Sequence, residues 1–346
     1  MNFYLLFFFY FVTILSSIFL YIKISQKYNI CQTYDSINKR KIIQSIGILI
    51  IFLLPLFILT FCWIYPNIQK AIFEYTPRPI VFIFNIVFLG LISLYDDIKL
   101  LDFRYRLVVQ FLAAFLSLSL FVFPITEFLP IKLEQLFIIF VIIFVINTSN
   151  FYDGLDGMLN INTIFVCLTI LVVSYFEQKF YVSTIIAIAL LPIVISILPF
   201  NFPIAKVFMG DSGSVVIGYA TSIIMIDLIA NKLYWILLII YFIPSIDVIF
   251  TILKKIFKKI NLWERLFDYM FLVPVIKFKK KHTYTTIPFA ACSLANLFLV
   301  IASYHFEISN LLFINFITSA GFLIYCSNFS LFVKYDDTND TSKDRS

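Results

Sequence analysis

Long apolar runs alternate with short polar breaks along nearly the whole chain. About 20 consecutive apolar residues suffice to cross the hydrocarbon of a bilayer as a helix. Eleven runs of this kind can be delimited, near 3–22, 43–65, 79–95, 107–123, 133–149, 158–176, 181–199, 213–231, 234–253, 286–304 and 310–333. The pattern predicts an all-α, polytopic integral membrane protein with about 11 transmembrane helices. It does not suit an outer-membrane barrel, whose strands are about ten residues long and alternate apolar with polar. Composition agrees, with 62% of the 346 residues hydrophobic and 13% charged. Residues 1–335 read as one transmembrane domain, and 336–346 as a polar tail expected to be disordered. The run from Met1 to Tyr21 lacks a basic start and a small-residue cleavage site, and reads as an uncleaved first span.

Charge orients the bundle. Cytosolic loops of membrane proteins collect Lys and Arg. With the N-terminus outside, only Lys70, Arg78, Lys132, Lys179 and Lys232 of the 26 Lys and Arg fall in outer loops. An odd number of spans then puts the C-terminus in the cytosol. The one long loop, 254–285, interleaves lysines with aromatic and apolar residues. That pattern fits a helix lying in the interface against anionic head groups, and equally a set of charges that only orients the chain. The five cysteines are scattered without paired spacing, and isolated thiols are expected.

Acidic residues are rare in membrane spans and are functional by default. Four acidic motifs stand out here: LYDDIKLLD, NTSNFYDGLDG, VFMGDSGS and PSIDV. The topology brings all four to, or near, the cytosolic face. Asp96 and Asp97 are adjacent, so on a helix they point about 100° apart and should take different roles. Hard divalent cations want carboxylate and phosphate oxygens. Asp153 and Asp156, like Asn147 and Asn150, are three apart and are expected on one helical face. The blander reading is a capped helix start, which accounts for one acid of the set. Gly210 and Gly213 flank Asp211 before an apolar helix, whose N-terminus is an expected anion site. Lys206 is a candidate for phosphate and Phe208 for a base, though a Phe in this chain is more often plain packing. His282, in KKKHTYTT, lies on the same side as the acids.

These residues, in this order, resemble the polyprenyl-phosphate N-acetylhexosamine-1-phosphate transferases, glycosyltransferase family 4. That family includes phospho-MurNAc-pentapeptide translocase and the initiators of O-antigen synthesis. The similarity runs from about Asp35 to Tyr284 and rests chiefly on NTSNFYDGLDG and AKVFMGDSGS. Asp96-Asp97 followed by Arg106, Leu107 and Gln110 fits the first acidic motif of the family, and Pro244 to Asp247 the later one. The early loop keeps Asp35, Asn38 and Arg40 but has only Gly47 in place of a Pro- and Gly-rich stretch. The basic loop carries His282-Thr283-Tyr284, like the His-x-Tyr element of O-antigen initiators, with lysines where those enzymes usually have another His.

The resemblance implies transfer of an N-acetylaminosugar-1-phosphate from a UDP-sugar to polyprenyl (undecaprenyl) phosphate, with release of UMP. It implies Mg²⁺, replaceable by Mn²⁺, held by Asp211 and Asp97. It implies catalytic roles for Asp96, Asp97, Asp211 and His282, and substrate contacts for Asn150, Asp153, Asp156, Lys206, Phe208 and Arg106. A bacterial inner-membrane location, a cytosolic active site, no nucleic-acid partner and a homodimer complete the expectation. The His-x-Tyr loop favours a start of cell-surface polysaccharide synthesis over the peptidoglycan reaction. The alternative from another class is a cation-coupled transporter. Transporter acids usually sit near the midplane on broken helices, whereas these collect at one face.

Overall fold

The computed structural model describes residues 3–28, 32–35, 40–66, 78–126, 129–259 and 269–329. The expected tail therefore lies outside the described residues. The chain folds into helices α1 (Phe3–Tyr28), α2 (Ile48–Ile64), α3 (Ile80–Lys99), α4 (Phe103–Ser117) and α5 (Ile131–Tyr152). There follow α6 (Met158–Phe176), α7 (Val182–Asn201), α8 (Asp211–Ala230), α9 (Tyr234–Ile240) and α10 (Phe242–Phe257). The short α11 (Val273–Ile276), α12 (Thr283–Ala302) and α13 (Ile308–Ser327) complete the chain.

Each predicted run corresponds to a helical element. Among the described residues, nine helices are long and apolar enough to cross a membrane. The ninth run departs from expectation, because α9 and α10 form a span bent by 73°. Pro244 accounts for the break: a proline ring clashes with the carbonyl four residues earlier, here that of Ile240 at the end of α9. The second run also differs. Its helix α2 has only 17 residues, because Arg40–Ile43 pairs instead with Gln32–Asp35 as a small antiparallel hairpin, β2 and β1.

The bundle is organised around α8, whose side chains are buried along almost the whole helix. It packs most extensively on α5 and α3, with α7 beside it. Buried polar side chains tie helices of the bundle together. The Asn85 amide nitrogen lies 3.0 Å from Ala113 O, 2.9 Å from Ser117 Oγ and 3.0 Å from Tyr219 Oη and shares its two hydrogens among them, tying α3, α4 and α8 together. Outer faces are apolar: Phe8, Phe19, Phe115, Phe140, Phe298 and Phe313 are all more than half exposed. Continuous apolar surface of this kind suits contact with lipid. The described cysteines Cys62, Cys167, Cys292 and Cys326 are free thiols.

Part of the basic loop packs into the bundle. Residues 260–268 fall outside the described residues, but the returning stretch folds inward, with Phe271 at 0% exposure and Leu272, Val273 and Val275 buried.

Candidate active site

Three of the four motifs meet at one end of the bundle, around the N-terminus of α8, while Asp247 of the fourth binds the basic loop. Asp96 and Asp97 occupy the last turn of α3, and their carboxylates take different directions, as helical geometry demands. Asp96 is buried. It accepts the Leu101 N–H and forms an ion pair with Arg106 Nε at 2.7 Å. Arg106, from the first turns of α4, reaches on to Asp211 with Nη1 at 2.6 Å from Oδ2. One guanidinium thus joins two acids from separate elements, an arrangement its fixed fork of donors allows.

Asp97 has another task. Its Oδ1 accepts the Asp211 N–H at 2.8 Å and the Gln44 side-chain amide at 3.4 Å. Its Oδ2 accepts Ser45 Oγ–H at 2.8 Å and the Ser212 N–H at 3.2 Å. A carboxylate offers about four lone-pair sites. All four are occupied, so Asp97 caps α8 rather than standing open to a metal. The same contacts change the expected anion site. The Asp211 and Ser212 amides go to Asp97, and those of Gly213 and Ser214 go to Gly210 O at 3.0 Å each. The anion at this helix N-terminus is the protein's own side chain.

Asn150, near the end of α5, hydrogen-bonds the Asp211 carboxylate. Asp153 and Asp156 do not share a helical face. Helix α5 stops at Tyr152, and residues 153–157 form a turn that ends at Gly157 with φ +74°. Their side chains diverge accordingly. Asp153 accepts the Gly210 N–H beside Asp97 and Asp211. Burial pushes its carboxyl well above the usual range, and the Asp211 and Asp97 carboxylates push the same way, outweighing the Gly210 hydrogen bond. Asp156 is buried, with Oδ2 accepting the Ala205 N–H at 3.0 Å.

Asp156 also meets His282 at the start of α12. The Asp156 N–H donates to Nδ1 at 3.1 Å, and Oδ1 lies 3.0 Å from the same nitrogen. The one nitrogen can accept from the N–H or donate to the carboxylate, and serves one of the two at a time. Thr286 Oγ–H to Asp156 O, at 3.1 Å, completes the junction. Lys206 is exposed and Phe208 half-buried, on a strand-like stretch held beside residues 43–47. There Phe208 N–H donates to Ile43 O at 2.8 Å and Gly47 N–H to Met209 O at 3.1 Å.

Two glycines make this closeness possible. Gly210 has φ +77°, and a Cβ there would lie 2.6 Å from Asp97 Oδ2. A Cβ on Gly47 would lie 2.1 Å from the Gly213 backbone. Gly47 closes the early loop. Of its polar neighbours, Asn38 lies outside the described residues, and Asp35 and Arg40 lie in the hairpin strands.

Sequence reasoning missed three residues. Gln44 and Ser45 complete the Asp97 cap, and a lone Gln-Ser pair before a span carries no sequence signal of that. Asn201, at the end of α7, accepts the Gly157 N–H at 2.9 Å and donates to Val207 O at 2.9 Å, latching two motifs together. A buried Asn closing an apolar run was the signal available for it.

Residues 79–229 match the sequence model of glycosyl transferase family 4. That stretch contains every candidate site residue named above except His282. Among curated proteins, the chain is similar to a phospho-N-acetylmuramoyl-pentapeptide-transferase of Streptococcus mutans, 36% identical over 127 residues, which is 36% of this chain and 34% of that protein. A second such transferase, from Wolbachia pipientis, is 29% identical over 201 residues, 52% of this chain and 61% of its own. The undecaprenyl-phosphate alpha-N-acetylglucosaminyl 1-phosphate transferase of Thermotoga maritima is 28% identical over 180 residues, 52% of this chain and 56% of its own. The matched stretches thus span from about a third to three fifths of these relatives.

The donors around Asp211 bear on metal binding. Among the described residues, no group of three or more His, Cys, Asp or Glu can hold a metal by itself. The chemistry of the set still fits a hard divalent cation. Asp153 and Asp211 repel one another, and Arg106 is the cation paired with Asp211. Two such carboxylates, with phosphate oxygens and waters in the remaining positions, are how Mg²⁺ is commonly held.

Proposed function

We propose that this protein transfers an N-acetylaminosugar-1-phosphate from a UDP-sugar to a polyprenyl phosphate at the cytosolic face of a bacterial inner membrane. The observation that carries the reading is the Arg106 bridge between Asp96 and Asp211, beside Asn150 and Asp153. It supplies a cation and open carboxylates together, at the edge of a lipid-facing bundle. Arg106 and Asp211 have side chains 23% and 27% exposed, so both can reach a ligand, while Asp96 at 3% cannot.

Roles follow from that difference. Arg106 takes a phosphate of the donor, and Asp96 orients it from behind. Asp211 and Asp153 hold Mg²⁺ or Mn²⁺, which supplies charge neutralisation for the diphosphate when bound. Asp97 holds the backbone of Asp211 in place. Asn150 fixes the Asp211 carboxylate, and the turn from Asp153 to Gly157 lies against the nucleotide-sugar. Phe208 and Lys206 face the uridine end, and His282 the sugar or phosphate. The acceptor needs little deprotonation, because a phosphate monoester loses its second proton with a pKa of about 6. One of its oxygens attacks the phosphorus bearing the sugar. The bond from that phosphorus to the bridging oxygen breaks, and UMP leaves with that oxygen. Such transfers depend on positioning and charge more than on covalent help from the protein.

Cell-surface polysaccharide initiation is the reading favoured by His282-Thr283-Tyr284. A second reading, transfer of phospho-MurNAc-pentapeptide, is favoured by the names of the Streptococcus and Wolbachia relatives. The deciding experiment is UMP release by purified protein with undecaprenyl phosphate, Mg²⁺ and a panel of UDP-N-acetylaminosugars, UDP-MurNAc-pentapeptide included. Release with one donor, absent in Asp211→Asn and after chelation, supports the reading and names the sugar. No release with any donor would overturn it. Ion-gradient-driven uptake into proteoliposomes would instead revive a transporter.

A further inference from the structure

The acid of the fourth motif has no place in the reaction just described. Asp247 lies in α10 at 0% exposure. A buried carboxylate at the edge of a membrane bundle is costly unless donors surround it. Two donors come from the basic loop. Met270 N–H donates to Oδ1 at 2.8 Å and Phe271 N–H to Oδ2 at 3.2 Å, so the carboxylate caps the single helical turn Met270–Leu272.

Aromatic contacts carry that anchor to the site. Tyr269 packs on Phe151 with ring centroids 4.8 Å apart, and Phe271 on Tyr152 at 4.8 Å. Tyr269 and Phe271 stack on each other at 5.6 Å. Phe151 and Tyr152 follow Asn150 directly and precede Asp153. From Phe271 the chain runs through α11, where Lys280 N–H closes back on Pro274 O at 3.1 Å, to His282 against Asp156. The returning half of the basic loop is therefore held at both ends, by Asp247 and by Asp156. Between them lie the exposed Lys277, Lys279 and Lys281.

We infer that Asp247 is a positioning residue for donor recognition. It fixes where the returning loop, with His282 and its lysines, faces the sugar, without touching substrate itself. Tyr269 and Phe151 form the hinge through which that position is transmitted. This rests on the transferase reading above.

The test uses full-length protein in detergent or nanodiscs and the variants Asp247→Asn, Tyr269→Ala and Asp247→Glu. Asn keeps one acceptor oxygen and loses the charge. Hydrogen exchange over 269–276 is expected to speed up in Asp247→Asn and Tyr269→Ala, with exchange in α8 unchanged. The donor KM is expected to rise about tenfold with kcat within about threefold, the signature of lost ground-state binding. The ratio of kcat/KM between the best donor and a second UDP-N-acetylaminosugar is expected to narrow. Asp247→Glu, which keeps both oxygens, is expected to recover part of each effect. Unchanged exchange over 269–276 would overturn the anchor. Faster exchange with unchanged KM and selectivity, or an equal loss of kcat for every donor, would overturn the link to recognition. If the unaltered protein releases UMP with no donor, the transferase reading falls and takes the recognition role with it, while exchange still decides the anchor.

Discussion

The Asp97 carboxylate accepts the backbone N–H of Asp211 at 2.8 Å. Two acids from motifs more than a hundred residues apart are thus joined through backbone, not through a shared ligand. Asp97 completes the N-terminus of the helix that Asp211 opens. The reach of Asp211 toward Arg106 and Asn150 depends on it.

Asp97→Ala should therefore destabilise the protein, while Asp211→Ala should not. Loss of a carboxylate cap that accepts four donors costs on the order of 1–3 kcal/mol. Thermal unfolding in detergent, followed by circular dichroism, checks it: a lower Tm for Asp97→Ala and an unchanged or higher one for Asp211→Ala. Equal effects would mean Asp97 is not a cap.

Arg106→Lys keeps the charge and loses the fork that touches Asp96 and Asp211 together. A lysine offers a single point of charge on a flexible stem. UMP release should fall by about 100-fold or more in kcat/KM, the scale seen when one preorganised donor is removed from a transition-state site. Near-normal turnover in Arg106→Lys would show that charge alone is enough.

Asp153 links stability to pH. Its folded pKa is raised above the unfolded value of about 3.9, so between the two the folded state binds more protons. Its contribution to stability is full below the unfolded pKa and is lost as pH rises through the folded one. Asp153→Asn should remove that loss, raising Tm at neutral pH in metal-free protein and flattening the decline of Tm with rising pH. Activity should disappear in the same variant. A Tm profile that matches the unaltered protein would contradict the crowding of carboxylates around Asp211.

Gly210→Ala should fail for two reasons at once. Its φ of +77° disfavours any Cβ, and that Cβ would meet Asp97 Oδ2 at 2.6 Å. Destabilisation of about 1–3 kcal/mol from the backbone alone is expected, with further loss from the displaced cap. Gly321→Ala, where a Cβ meets nothing within 4 Å, serves as the neutral comparison in the same unfolding assay.

Much of this was legible along the chain. Apolar run length depends on bilayer thickness, a one-dimensional constraint, so every predicted span has its helical element. The grouping of Asp96, Asn150, Asp153 and Asp211 followed from counting those spans. Local chemistry that depends on partners was not legible. Asp153 and Asp156 have the spacing of one helical face, but a turn ending at Gly157 sends one toward Asp211 and the other toward Ala205 and His282.

Sequence alone determined the membrane class, the span positions and the end of the bundle where the acids collect, because hydrophobic length and charge bias act without regard to distant neighbours. Only the tertiary structure decided which acid does what. Asp96 and Asp97 are chemically identical and adjacent. The 100° step of the helix turns one toward Arg106 and the other toward the backbone of α8, Gln44 and Ser45. A carboxylate's role is set by the donors around it, and those donors come from elements far away in the chain.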